Sequence, residues 1–220
     1  MPCRLALRSR VDFCVHLRIP SNKRPFLPGL GSSSPQILTA SKIIPYPASK
    51  IFALVADVDS YSQFVPYCQK SRVTHWTAPA TQPGVLRLPL QADLHVGWGG
   101  FKEVFTSRLT CNPELGLVEA RSGRDVQPLS AHADTLQSTP NIPPTTVFDR
   151  LISRWIIKPF HGPAQCSNMN EPTEWSRADL CIEFQFTNPL YAAVSSAVSE
   201  TMASVMTDAF EKHARRKLGT

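Results

Sequence analysis

In VADVDSYSQFVPYC, Asp57 and Asp59 flank Val58, and Tyr61, Phe64, Val65, Pro66, Tyr67 and Cys68 follow closely. Two carboxylates this near each other could act as general acids or orient a polar headgroup. The ordinary alternative is that one caps a short helix while the other is solvated. Cys68 has no histidine near it in sequence and reads as a small buried apolar group rather than a nucleophile. The rings and the proline form either a packed aromatic corner or the lip of an apolar cavity. Tyrosine suits such a lip, because its ring is apolar and its hydroxyl tolerates water.

Elsewhere the reactive residue types are scattered. The six histidines show no HxxxH or HxH spacing, and the six cysteines no CxxC spacing. No metal site follows from them, and the thiols read as mostly reduced. Gly97, Gly99 and Gly100 read as a hairpin; a phosphate loop would need a following Lys-Ser/Thr and a helix. Of the six net positive charges, five belong to residues 1–36, where six bases face only Asp12. The remainder is nearly neutral apart from Lys212, Arg215, Arg216 and Lys217, which excludes a nucleic-acid-binding face on the folded part. No run of apolar residues is long enough to span a bilayer.

These residues need elements to position them. The Arg-rich, acid-poor segment 1–36 has the composition of a mitochondrial presequence, with Cys3, Leu7, Val11 and Cys14 on one helical side; the alternative is a disordered basic tail. Residues 37–44 read as a strand. Ile51, Phe52, Leu54, Val55 and Val58 mark a helix over 48–58, and a second short helix covers 60–64, before Pro66. Strands follow at 71–76, 85–96, 101–111 and 115–121. Residues 122–146, rich in Pro, Ser and Thr, read as a flexible insertion. Strands resume at 147–157 and 178–186. Asn188-Pro189 then opens a helix to Lys217, with Leu190, Val194, Val198, Met202, Val205, Ala209 and His213 as its stripe. The fold class is α+β, a curved antiparallel sheet of about six to seven strands around a long C-terminal helix.

This order resembles the helix-grip fold of START-like and polyketide-cyclase-like domains. VADVDSYSQFVPYC, ADLHVGWGGFKEVFTSRL, IEFQFTNPLYAAV and MTDAFEKHARR resemble the blocks of the mitochondrial coenzyme Q-binding START-like family. The domain is then 37–220, behind a presequence at 1–36. The resemblance implies a non-enzymatic role: binding coenzyme Q (ubiquinone) or its polyprenyl intermediates as a lipid chaperone or transporter. It would support respiration and ubiquinone biosynthesis peripherally at the matrix side of the mitochondrial inner membrane. Partners would be that membrane surface and, further, ubiquinone-synthesis proteins, without nucleic acid, metal or catalytic cofactor.

A cavity in such a fold would draw its wall and mouth from Phe52, Val55, Tyr61, Phe64, Val65, Pro66, Tyr67, Trp98, Phe101, Phe105, Trp155, Phe184, Val194, Val198, Met202 and Val205. Phe64, Val65, Lys50 and Lys212 would face the membrane, the lysines toward anionic headgroups. The small side chains between Ala192 and Ser204 either let helix and sheet approach closely or leave a gap. The alternative function is a polyketide cyclase or aromatase using the same cavity. It would need ionisable groups such as Glu103, Arg108 or Glu183 on inner strand faces.

Overall fold

The computed structural model describes residues 35–78, 86–98, 101–124, 126, 129, 147–161, 174–187 and 189–219, without the side chains of 98, 101 and 189–201. The expected presequence and insertion lie outside the described residues except at their ends, where Gln36 opens the first strand and Ser122 and Gly123 close another.

The order is β1 (Gln36–Ile44), α1 (Ala48–Ala56), a 3₁₀ helix (Val58–Gln63), β2 (Cys68–Trp76), β3 (Pro89–Trp98), β4 (Phe101–Asn112), β5 (Leu117–Gly123), β6 (Phe148–Phe160), β7 (Trp175–Phe186) and α2 (Pro189–Leu218). The strands form one antiparallel sheet in the order β1-β7-β6-β5-β4-β3-β2. α1 and the 3₁₀ helix therefore carry the chain from one sheet edge to the other. The strands then return pair by pair until β7 meets β1.

Period-2 alternation decides which side chains face inward. On β7 every even residue from Ser176 to Phe186 is buried. β6 breaks this rule once. Phe148 pairs with Phe186 and Arg150 with Gln185, so Asp149 is an extra residue in a bulge. The bulge shifts the phase and brings both Phe148 and Leu151 to the inner face. Gly123, opposite Arg150 and at φ +129°, permits this close approach: a Cβ there would stand 2.3 Å from the Asp149 carbonyl oxygen.

α1 buries Ile51, Phe52, Val55 and Ala56. It ends at Ala56 rather than running on to Val58, because Asp57 leaves helical geometry with ψ 69°. The Asp57 carboxylate accepts a hydrogen bond from the Ser60 hydroxyl. That of Asp59 accepts from the Val73 N–H at 2.6 Å, tying the 3₁₀ helix to β2.

On α2 the expected stripe holds at His213, which is buried, and fails at Val205, which is exposed. The helix's buried residues are Ala203, Thr207, Phe210, His213 and Ala214, whereas Val205 is 44% exposed. Ala and Ser along the helix leave little contrast between faces, and Phe210 sets the phase. Lys42 on β1 bridges Asp208 at 2.6 Å and Glu211 at 3.1 Å, which fixes α2 against the sheet edge. Among the described residues no helix is long and apolar enough to cross a membrane.

The main core joins α1, the inner faces of β6 and β7, and Ala203, Phe210 and Ala214 of α2. A smaller cluster of Val58, Val73, Ala92 and Leu109 lies under the 3₁₀ helix.

Candidate functional site: an apolar cavity under the C-terminal helix

Between the sheet and α2 lies a cavity of about 460 Å³. Its wall is built in layers of cross-strand neighbours. One layer runs Ala92, Ser107, Ser122, Leu151 and Phe184 across β3 to β7. The next runs Leu109, Ala120, Ser153, Ile182 and Leu38 across β4 to β7 and on to β1. Val118 and Trp155, a cross-strand pair, lie a layer further along. Among the described residues, Met202 and Met206 of α2 also line it, together with Val58 and Tyr61 of the 3₁₀ helix. Unbranched, polarizable methionine adapts to guests of varied shape.

The mouth lies at the turn after the 3₁₀ helix. Val65, Pro66 and Tyr67 are lining residues, and Tyr67 is also 49% exposed, so the wall meets the surface there. Tyr67 sits at φ +64°, a conformation costly for a residue with a Cβ. Its carbonyl accepts from the Gly97 N–H at 3.0 Å, joining the lip to β3. Phe148 gathers more rings: Phe105 at 5.5 Å, Phe184 at 5.8 Å and Phe186 at 4.8 Å between centroids.

The other end is filled. Phe210 packs on Trp155 at 5.1 Å and on Phe64 at 5.8 Å, and Phe64 stacks on His213 at 4.3 Å. His213 Nδ1 accepts from the Arg216 guanidinium at 2.9 Å, which puts the ring hydrogen on Nε2, and Nε2 is buried with no partner. Burial, with Arg216 and Lys217 adding to it against the opposing pull of Asp57, pushes the His213 pKa down, so the ring is neutral.

The chemistry of the wall is simple. Among the described lining residues there is no acid, no lysine or arginine and no histidine. The polar groups are Ser107, Ser122, Ser153, Trp155 and the two tyrosines. Tyr61 turns its hydroxyl away from the space, donating to the Val55 carbonyl at 2.6 Å. Burial pushes that phenol's pKa well up, aided by Cys111, Asp57 and Cys68 nearby, so it stays protonated. Cys68 and Cys111 are free thiols whose pKa burial also raises, that of Cys111 to about 11. Neither is a ready nucleophile. Asp57 and Asp59, engaged as described above, do not line the space.

The expected site residues divide as follows. Tyr61, Val65, Pro66, Tyr67, Phe105, Trp155, Phe184 and Met202 line the cavity. Phe52 and Val55 lie in the packed core instead, because their face of α1 meets the main cluster. Val205 is corrected to the exposed side of α2. Phe64 is half-buried and does not line the cavity; its ring meets those of Tyr61, Phe210 and His213. Lys50 and Lys212 are exposed. The side chains of Trp98, Phe101, Val194 and Val198 lie outside the described residues. Of the groups an enzyme would need, Arg108 and Glu183 point to the outer face, where Glu183 pairs with Arg150 at 3.4 Å. Glu103 shares Phe105's parity but is not part of the wall.

Sequence reasoning missed Phe148, Phe186, Met206, Phe210 and the three serines. Alternation from Phe184 reaches Phe186. The spacing of Ala203, Thr207, Phe210 and Ala214 was legible as a helical face. Phe148 was not reachable, since the bulge reverses its parity.

The family model described as polyketide cyclase / dehydrase and lipid transport matches residues 44–211. The chain is 30% identical to the coenzyme Q-binding protein coq10, mitochondrial, of Schizosaccharomyces pombe, over 81% of this chain and 86% of that protein. It is 26% identical to the ribosome association toxin RatA of Escherichia coli, over 82% and 87%. The Zhui aromatase/cyclase of Streptomyces superposes with a TM-score of 0.55 at 16% identity, covering 85% of this chain and 98% of that one. The helix-grip fold and the resemblance to the coenzyme Q-binding START-like proteins are thereby confirmed. A hydrophobic ligand-binding role fits both the family and the wall.

Proposed function

This chain belongs to the polyketide cyclase / dehydrase and lipid transport family, and we propose that its cavity takes up coenzyme Q or a polyprenyl precursor and carries it to and from a membrane. The observation that carries the reading is the hollow itself, its described wall mostly apolar and without a charged side chain, and open at the Tyr67 lip. An apolar void left empty in a packed core costs about 24 cal/mol per Å³, so an uncharged, mostly apolar hollow favours an apolar guest. An isoprenoid chain leaving the bilayer for this wall exchanges one apolar surrounding for another. The transfer is close to neutral, as release requires.

The relative named a mitochondrial coenzyme Q-binding protein supports this choice of cargo. The reading places the protein peripherally at the matrix side of the mitochondrial inner membrane, with Val65, Tyr67, Lys50 and Lys212 toward the lipid. There it would serve respiratory electron transport and ubiquinone biosynthesis as a chaperone, without catalysis.

Mass spectrometry of lipids extracted from the natively purified full chain tests this. A polyprenyl quinone or its prenylated ring precursor is expected in stoichiometric amount. Recovery of an empty protein that also fails to take up added quinone refutes it. Turnover of a polyketide or aromatic substrate would establish the cyclase alternative instead. Exchanging Val65 and Tyr67 for Ser should weaken binding to vesicles of anionic phospholipid several-fold; unchanged binding removes this lip from the membrane contact.

A further inference from the structure

The cavity wall carries hydroxyls where Ala or Val would be the cheaper choice. Ser107 on β4 and Ser122 on β5 are direct cross-strand partners, and their oxygens stand 2.6 Å apart. Both are buried, at 5% and 6% exposure. Two hydroxyls bonded to each other use one hydrogen between them. The second hydroxyl hydrogen is left for an acceptor in the space that both residues line. Ser153, on the next strand and one layer over, roughly 7 Å along, also lines the space, and the Trp155 indole lies a layer beyond it. Hydroxyls on three adjacent strands give this stretch of an otherwise apolar wall its hydrogen-bonding capacity.

We infer that the Ser107–Ser122 pair, with Ser153, is the anchor for an uncharged, oxygen-bearing ring head, so that a prenylated ring enters the cavity head first. This inference rests on the lipid-carrier reading and gives it an orientation. The free hydroxyl hydrogen calls for an acceptor such as a ring carbonyl or ether oxygen. No cation stands in the described wall, so a carboxylate or phosphate head would lose its hydration without return. That selects quinone-like heads against fatty acids and phospholipids.

Depth supports the orientation. The lip is fastened to β3 at Gly97, and Ala92, in the serine layer, lies four residues in from Val96, a distance of roughly 13 Å. A ring placed at the serines leaves its chain running past Phe105, Phe148 and Phe186 to the Tyr67 lip. The head is thus shielded from water while the tail end remains free to enter the bilayer.

Titration calorimetry with the full chain tests this, using a decyl-substituted dimethoxybenzoquinone and decylbenzene as probes. Wild type should bind the quinone at least tenfold more tightly. The double variant Ser107→Ala/Ser122→Ala should lose about tenfold on the quinone, the scale of one buried hydrogen bond, and nothing on decylbenzene. Ser107→Thr should retain quinone affinity. The infrared carbonyl band of bound quinone should lie below its position in hydrocarbon with wild type and return to it with the double variant. Equal binding of both probes, an unshifted band in wild type, or an unchanged quinone affinity in a correctly folded double variant overturns the anchor while leaving the carrier reading intact. Failure of both probes to bind refutes both.

Discussion

The space between the sheet and α2 is solid at one end and hollow at the other, although the same strands and helix bound both. At the solid end Trp155, Phe210, Phe64 and His213 interleave ring on ring. At the hollow end the described part of the helix offers Met202 and Met206, and the strands offer Ala120, Ser122 and Ser153 among larger residues. The same strands continue between them, with the bulge at Asp149 beside the hollow end, and side-chain volume differs. A grip fold is therefore converted from a core to a container by a few substitutions in size. The solid end supplies stability that the hollow end forgoes.

Substitutions at each end can break or sharpen this contrast. The largest effect is expected from Phe210→Ala, which removes the ring shared by Trp155 and Phe64 and should cost about 3–5 kcal/mol in urea unfolding. A loss under about 1 kcal/mol would mean that the end is not tightly packed. Next comes a matched pair of enlargements. Ala214→Leu, at a fully buried position, should cost about 1–3 kcal/mol by overpacking. Ala120→Leu, facing the cavity, should cost less than about 1 kcal/mol yet lower affinity for the decyl quinone tenfold or more. Equal penalties in the two would erase the distinction between the ends.

Smaller effects are expected at the margins. Tyr67→Gly relieves a left-handed backbone and should raise stability by up to about 1 kcal/mol while weakening vesicle binding. A clear loss of stability would show that the ring contributes more to packing than the strain costs. The smallest effect concerns His213, whose pKa in the folded state lies below the ordinary 6.5. Below pH 6.5 the unfolded chain gains this proton first, so the contribution of the neutral ring is complete above 6.5 and declines as pH falls toward the folded pKa. Thermal melts of wild type should drop more steeply between pH 6.5 and 5 than those of His213→Asn; parallel profiles would remove His213 from the acid response.

The element order was legible in the sequence because it rests on local causes. Strict alternation of Leu180, Ile182, Phe184 and Phe186 could only be a half-buried strand, and Asn188-Pro189 could only open a helix. The residues at the lip were legible too, since rings crowded at a helix end have few destinations. The ring partner of Phe64 was not legible, because His213 lies 149 residues away.

What the sequence determined by itself was the period of each element, the edges where turn residues interrupt it, and the membership of the family. These depend on neighbours along the chain. Tertiary structure alone decided the parity of Phe148 after the bulge and the meeting of Ser107 with Ser122 inside an apolar space. Those depend on register between distant strands. Whether facing side chains meet or leave a gap is a matter of volumes summed across the sheet, which no single stretch of chain contains.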